Sequence, residues 1–166
     1  SCLYACAAAY CSDFEAGVGT WTNNGWIWDS MGTTSSSTGP TTGANGSVYY
    51  MYFETSFPVV AGDQISMTSE CMDITALSAP ALSFYYHMYG ASQGTLDVLV
   101  NGTNVWSMSG DQGNQWNWAQ VDLSAYAGLD VTLEFVGTAA TAPNSTTVFW
   151  GDMAIDDICL VEYLLV

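Results

Sequence analysis

The chain has 166 residues, of which 16 are acidic, one is His and none is Lys or Arg, for a formal charge of −16 at pH 7. That length holds one domain, which buries about 70% of its unfolded surface and so can build a full core. With no basic side chain to meet a phosphate, nucleic acid is excluded as a partner and anionic membranes and phosphorylated ligands are disfavoured, and 49% hydrophobic residues exclude a disordered acidic tail.

Residues 1–12 form an apolar segment holding Cys2, Cys6 and Cys11. No His stands near to complete a zinc site, and no C-x-x-C is present. With Cys71 and Cys159 these residues read as disulfide formers of an exported protein. Five is an odd count, so one thiol at least is expected to stay free or to pair with another chain. The segment lacks the basic leader of a signal peptide, so Ser1 is expected to be a mature N-terminus, with both chain ends docked.

Strand signals follow. Gly32 to Ser47, rich in Gly, Ser and Thr, predicts an ordered loop, because Val48 to Glu54 resumes directly as a Tyr- and Phe-rich strand. Leu82, Phe84, Tyr86 and Met88 alternate with Ser83, Tyr85, His87 and Tyr89, the period of a half-buried strand. Leu96, Val98 and Val100 repeat that period, and Asn101-Gly102 after them predicts a hairpin turn. Trp116 to Leu123 reads as a further strand, Leu123 to Tyr126 as one short turn, and Val131, Leu133 and Phe135 as another alternating segment. About ten short strands divided by turn clusters predict an antiparallel sandwich. No run of 18 apolar residues occurs, so membrane insertion is not expected.

Near the end, Gly151-Asp152-Met153-Ala154-Ile155-Asp156-Asp157-Ile158-Cys159 sets two carboxylates between Ile155 and Ile158. Buried carboxylates need an opposite charge, hydrogen bonds or a metal. No basic side chain exists, so a bound cation is expected, and calcium is the cation that prefers oxygen ligands. Neighbouring strand residues point to opposite faces, so Asp156 and Asp157 share one ion only across a bulge. In the tail, Leu160, Glu162, Leu164 and Val166 alternate with Val161, Tyr163 and Leu165, and both faces are largely apolar. Such a strand is either central in its own sandwich or added to a neighbour's sheet. Leu160, Val161, Tyr163, Leu164, Leu165 and Val166 are therefore assembly candidates, and head-to-tail contacts that do not close give fibres.

Several of these motifs together resemble one family. Asp13-Phe14-Glu15, Gly19-Thr20-Trp21, Thr38-Gly39-Pro40 and Gly46-Ser47-Val48-Tyr49-Tyr50 are similar to the opening pattern of MAM domains. Ala81 to Gly90, Trp106 to Gly113, Trp118 and Val121-Asp122-Leu123-Ser124 continue it, and Ala154-Ile155-Asp156-Asp157-Ile158 closes it. The likeness covers residues 13–159, leaving 160–166 as an added apolar strand, and is greatest to secreted bacterial members. It implies an extracellular jelly-roll β-sandwich that adheres, self-associates or supports attached enzymes, without catalysis of its own. Some members carry a metal ion, which points to Glu15 and Asp157 first, and to Asp13 and Asp156 second. It also makes Cys71 with Cys159 a plausible pair, since each flanks a family motif. The family's acidic cluster before the long loop is replaced here by Gly25-Trp26-Ile27-Trp28-Asp29.

The function expected is a secreted structural or adhesive module that associates with itself, stiffened by disulfides and calcium, as a filament or surface structure. The alternative is a carbohydrate-binding module that stacks sugars on Trp26, Trp28 or Trp116, with glycans as partners. Trp26 and Trp28 would share one face of a strand, whereas Trp118, in a family slot, is expected in the core. The lone His87 has no triad partner and reads as a structural residue on a half-exposed sheet. Asp111 reads as a turn former. Asn45, Asn101 and Asn144 begin glycosylation triplets of low specificity.

Overall fold

Alternating apolar residues, with no helical period, drive this chain into strands that each bury one face. The computed structural model describes residues 10–141 and 148–165. The first sheet runs in the order β10 (Trp116–Asp122), β7 (Pro80–Met88), β13 (Met153–Glu162), β4 (Tyr50–Phe53) and β3 (Ile27–Asp29). β1 (Tyr10–Ser12) also pairs with β13. The second sheet runs β2 (Thr22–Asn24), β5 (Gln64–Thr68), β12 (Leu133–Thr138), β8 (Thr95–Val100) and β9 (Thr103–Ser109). A short ladder joins β6 (Met72–Asp73) to β11 (Asp130–Val131). Every pairing is antiparallel, and the fold is the all-β sandwich that the alternation predicts.

The described residues form thirteen strands rather than about ten. Three extra pieces, β1, β2 and β3, are three-residue strands too short for a period to register. Val131 and Leu133 also fall on two separate ladders. The hairpin turn between β8 and β9 holds Asn101 at φ 49° and Gly102 at φ 81°, the pair of left-handed residues that a type I′ turn demands. Ser124–Tyr126 forms the one short 3-10 turn expected there.

The core lies between the sheets. β7 contributes Leu82, Phe84, Tyr86 and Met88, β8 contributes Leu96, Val98 and Val100, and β13 contributes Met153, Ile155, Ile158 and Leu160. Phe84 sits at its centre, edge-on to Trp106 at 5.0 Å and to Phe135 at 5.2 Å. Such pairs add about 0.5–1.5 kcal/mol each beyond their burial.

β13 positions the acidic residues. One of its edges lies along β7; the other is shared, with β4 opposite Met153–Ile155 and β1 opposite Ile158–Leu160. The β7 register shifts between Asp156 and Cys159, and Asp157 takes φ 48°. Asp156 and Asp157 therefore stand at a bulge where the partner strand changes.

The cysteine pairing differs from the expected one. Cys11 lies directly across from Cys159 in the β1–β13 ladder, and the two form a disulfide with Cα atoms 4.1 Å apart. Cys71 is disulfide-bonded, but not to Cys159. A disulfide needs Cα atoms within about 7 Å, and ladder register rather than nearness to a motif decides which two meet. Cys2 and Cys6 lie outside the described residues.

Candidate functional site

The bulge in β13 gathers three of the four predicted metal ligands into one neighbourhood. Continuing the β1 register one step past Ser12 and Ile158 brings Asp13 beside Asp157, and Glu15 follows two residues on. Glu15 Oε1 accepts from Val48 N at 3.0 Å and Tyr49 N at 2.7 Å, tying β1 to the chain that enters β4. Asp13 Oδ1 accepts from Glu15 N at 3.1 Å. No hydrogen bond reaches the Asp157 carboxylate from the described residues. Burial, then the charges of Asp13 and Glu15, push it above the usual carboxylate range.

Asp156 faces elsewhere, despite the bulge. Its Oδ2 accepts from Ala44 N at 2.8 Å and Ser47 Oγ at 2.6 Å, and its Oδ1 from Asp157 N at 2.7 Å. Those donors leave it anchoring the loop before β4 rather than joining Asp157. Among the described residues no three His, Cys, Asp or Glu side chains approach closely enough to enclose a metal by themselves. Any ion at Asp13, Glu15 and Asp157 would need backbone oxygens or water to complete its shell.

The outer face of the first sheet is aromatic, and much of it is covered. Tyr50, Tyr52 and Ala154 form a second small core against Trp116. The loop from Ser30 to Tyr49 lies over them: Gly32 N donates to Tyr50 Oη at 3.0 Å, Thr42 O accepts from Trp116 Nε1 at 2.9 Å, and Ala44 N holds Asp156. The predicted ordered loop is thus a lid over the sheet, folded down by these polar contacts.

That lid and the local turns redistribute the sugar-stacking candidates. Trp26 is 3% exposed and its Nε1 donates to Phe135 O at 3.3 Å, so it cannot meet a sugar. It precedes β3, and the period of two that would pair it with Trp28 does not begin until Ile27. Trp28 is exposed, stacked on Tyr49 at 4.3 Å and 7°, with Nε1 donating to Phe14 O at 2.7 Å. Trp116 is half-buried beneath the lid. Trp118, expected in the core, is 41% exposed. β10 is an edge strand that turns Ala119 and Val121 inward and Trp118 outward, beside Tyr85 in the β7 register. Two Trp residues two apart on that strand were the sequence signal for this face.

His87 is corrected as well. It is 2% exposed rather than on a half-exposed face, with Nε2 3.2 Å from Asn114 Oδ1 and its ring edge-on to Trp116 at 5.4 Å. Nδ1 has no partner. Burial pushes its pKa down to about 4, and the Asn114 contact only partly offsets that. A depressed pKa means that the unfolded chain binds the extra proton, so this contribution to stability is complete above about pH 6.5 and is lost as pH falls through about 4. The stability difference between the wild type and His87→Gln should therefore shrink by up to about 3 kcal/mol from pH 7 to pH 4. Urea melts of both proteins at the two pH values measure it, and a constant difference would contradict a buried neutral imidazole.

Asp111 Oδ1 accepts from Gly113 N at 3.0 Å, the turn-forming role expected of it. Asn45 is exposed, and Asn101 is exposed with its amide tied to Asp130 O and Thr132 N. Asn144 lies outside the described residues.

The tail splits in two. Leu160 is core and Val161 half-buried, both paired with β7, so this part is a central strand of its own sandwich. Past Glu162 the chain leaves the sheet. Tyr163 is 39%, Leu164 59% and Leu165 95% exposed; Val166 lies outside the described residues. Tyr163 N donates to Ala79 O, and Gln120 clasps the Leu164 backbone through both N and O at 2.9 Å. Gln120 shares the outer face of β10 with Trp118, so the Leu164 backbone is held beside the strand that carries that indole. None of the described helical segments is long and apolar enough to cross a membrane.

The family model of the MAM domain, meprin/A5/mu, matches residues 11–163. Among curated proteins, the chain is 39% identical over 132 residues to MAM domain-containing glycosylphosphatidylinositol anchor protein 1 of Gallus gallus and 36% identical over 135 residues to that of Homo sapiens. Those matches cover 74% and 76% of this chain but 13% of each relative, so the chain spans about an eighth of their length. Among solved structures, a cleaved adhesin domain of Lys-gingipain from Porphyromonas gingivalis aligns with TM-score 0.66 and 13% identity, covering 95% of this chain and 100% of that one. A xylan-binding domain from Paenibacillus barcinonensis aligns with TM-score 0.52 and 13% identity, over 93% and 99% of the two chains. These two likenesses establish a shared sandwich.

Proposed function

Because the chain belongs to the MAM domain family, we propose that it is a non-catalytic extracellular adhesion module that associates with copies of itself through Tyr163, Leu164, Leu165 and Trp118. The observation that carries this reading is the exposure of those four apolar side chains, with the Leu164 backbone fixed by Gln120 of the strand that carries Trp118. Large apolar side chains exposed near one another are what an interaction site offers. Two chains of charge −16 repel, so the contact has to be apolar or bridged by divalent cations. The Cys11–Cys159 disulfide supports an oxidising, extracellular setting. Repetition of the contact would build the filament or surface structure, with calcium at Asp13, Glu15 and Asp157 fixing β1 against the lid.

Sedimentation velocity over a range of concentrations, with calcium and with chelator, tests this. The wild type should form dimers or larger species, and Leu165→Asp with Leu164→Asp should weaken that association at least tenfold without lowering the unfolding midpoint. A wild type that stays monomeric at about 100 µM in calcium would sink self-association.

A second reading, glycan binding, has one supporting observation: exposed indoles beside tyrosine rings, Trp28 on Tyr49 and Trp118 next to Tyr85. The lid over the outer face leaves only these margins. Binding on a glycan array that Trp118→Ala or Trp28→Ala abolishes would favour it over self-association.

A further inference from the structure

Two residues before the closing motif stands a third carboxylate, Asp152, that nothing above employs. The β13–β4 ladder explains its company. Met153 pairs with Phe53, so the next residues outward, Asp152 and Glu54, face one another at the end of the same pairing. Like charges opposite one another on antiparallel strands destabilise the pair, and here one of them is completely buried.

The hydrogen bonds leave one oxygen unanswered. Asp152 Oδ1 accepts from Thr55 N at 2.9 Å and Thr55 Oγ1 at 3.0 Å. Asp152 Oδ2 is buried and has no donor. Glu54, half-buried within hydrogen-bonding reach of it, accepts from Ser56 N at 2.9 Å, Thr34 Oγ1 at 2.6 Å and weakly from Tyr52 Oη at 3.5 Å. Asp29 adds negative charge near Tyr50 and Tyr52 on the same side. Gln93, whose Nε2 donates to the Asp152 carbonyl at 2.8 Å, has a second buried oxygen without a donor, Oε1.

Two charges that close need either a shared proton or a cation. A shared proton still leaves the pair one negative charge, and the chain has no Lys or Arg to answer it. An unneutralised buried charge costs several kcal/mol. The surroundings offer oxygen and nothing softer: two carboxylates, the Thr33 and Thr34 hydroxyls, and the Val148 carbonyl that Thr55 Oγ1 reaches at 2.6 Å. Calcium accepts such a mixed, irregular oxygen set, whereas magnesium demands a near-ideal octahedron and retains water.

We propose that Glu54 and Asp152 form a calcium site, distinct from the Asp13, Glu15 and Asp157 neighbourhood and about 15 Å from it along β13. One calcium ion replaces the shared proton, which leaves to solvent, and ties the end of β4 to the start of β13 and, through Thr34, to the lid. The site does not depend on self-association.

Calcium titration of the stripped full chain at pH 7.5 by calorimetry, with bound ions counted by native mass spectrometry, tests this in three proteins. The Glu54–Asp152 site should be present with equal affinity in the wild type and in Glu15→Gln, which removes at most the ion at Asp13, Glu15 and Asp157, and Glu54→Gln should weaken it at least tenfold. Near-UV circular dichroism checks that Glu54→Gln is folded; if it is not, Glu54→Asp, which keeps the charge but withdraws it, should weaken the site at least threefold. Unchanged affinity and ion count in the Glu54 variants would overturn the proposal. So would loss of every bound calcium in Glu15→Gln, which would leave only a shared proton at Asp152. Calcium binding that Glu54→Gln weakens while Glu15→Gln leaves it intact supports the proposal, even if the wild type proves monomeric.

Discussion

Replacing Cys11 and Cys159 together with Ser is expected to lower stability by about 3–5 kcal/mol and the thermal midpoint by roughly 10 °C. The bond closes a loop with a sequence separation of 148, nearly the whole chain. Cross-links over such loops remove the most freedom from the unfolded ensemble, about 5 kcal/mol in the chain-entropy account. A local effect adds to it. Among the described residues β1 spans three positions and pairs with β13 alone, so the disulfide is a main clamp on it. Releasing it would also loosen Glu15 from Val48 and Tyr49. Scanning calorimetry of both proteins without reductant measures the difference. An unchanged midpoint would mean that β1 docks without the bond.

Phe84→Ala is expected to cost about 3–5 kcal/mol, since it removes a ring with no exposure and leaves a cavity that rigid neighbours cannot fill. Trp106 and Phe135 meet Phe84 edge-on from the opposite sheet, so each loses a contact as well. Phe57→Ala is the control: Phe57 is 94% exposed, and its loss should stay within about 0.5 kcal/mol. Urea melts should show a lower midpoint for Phe84→Ala with the same slope, because the surface released on unfolding barely changes. Equal midpoints for the two variants would refute the placement of Phe84 at the centre of the core.

The strands and their inward faces were legible because a period of two needs only local information. Leu82, Phe84, Tyr86 and Met88 on β7, and Leu96, Val98 and Val100 on β8, turn inward as their alternation requires. The Asn101-Gly102 turn was legible for the same reason, since its backbone angles follow from two residue types. So was the carboxylate problem in the closing run, because a chain without Lys or Arg has to resolve it by other means.

What the sequence by itself determined, then, is local: strand periods, turns, the absence of cationic chemistry, and a set of motifs that carry the MAM resemblance. The tertiary structure alone decided which residues meet across long separations. Register across the β1–β13 ladder paired Cys11, not Cys71, with Cys159. The loop donors Ala44 and Ser47 turned Asp156 away from Asp157 despite the bulge, and the ladder end set Asp152 against Glu54, residues that no spacing in the sequence connects. The folded-down loop buried Tyr50 and half-buried Trp116, while the edge position of β10 exposed Trp118. Each of these depends on which strand lies alongside which, a cooperative choice made by the whole core, and one that a period along a single strand does not encode.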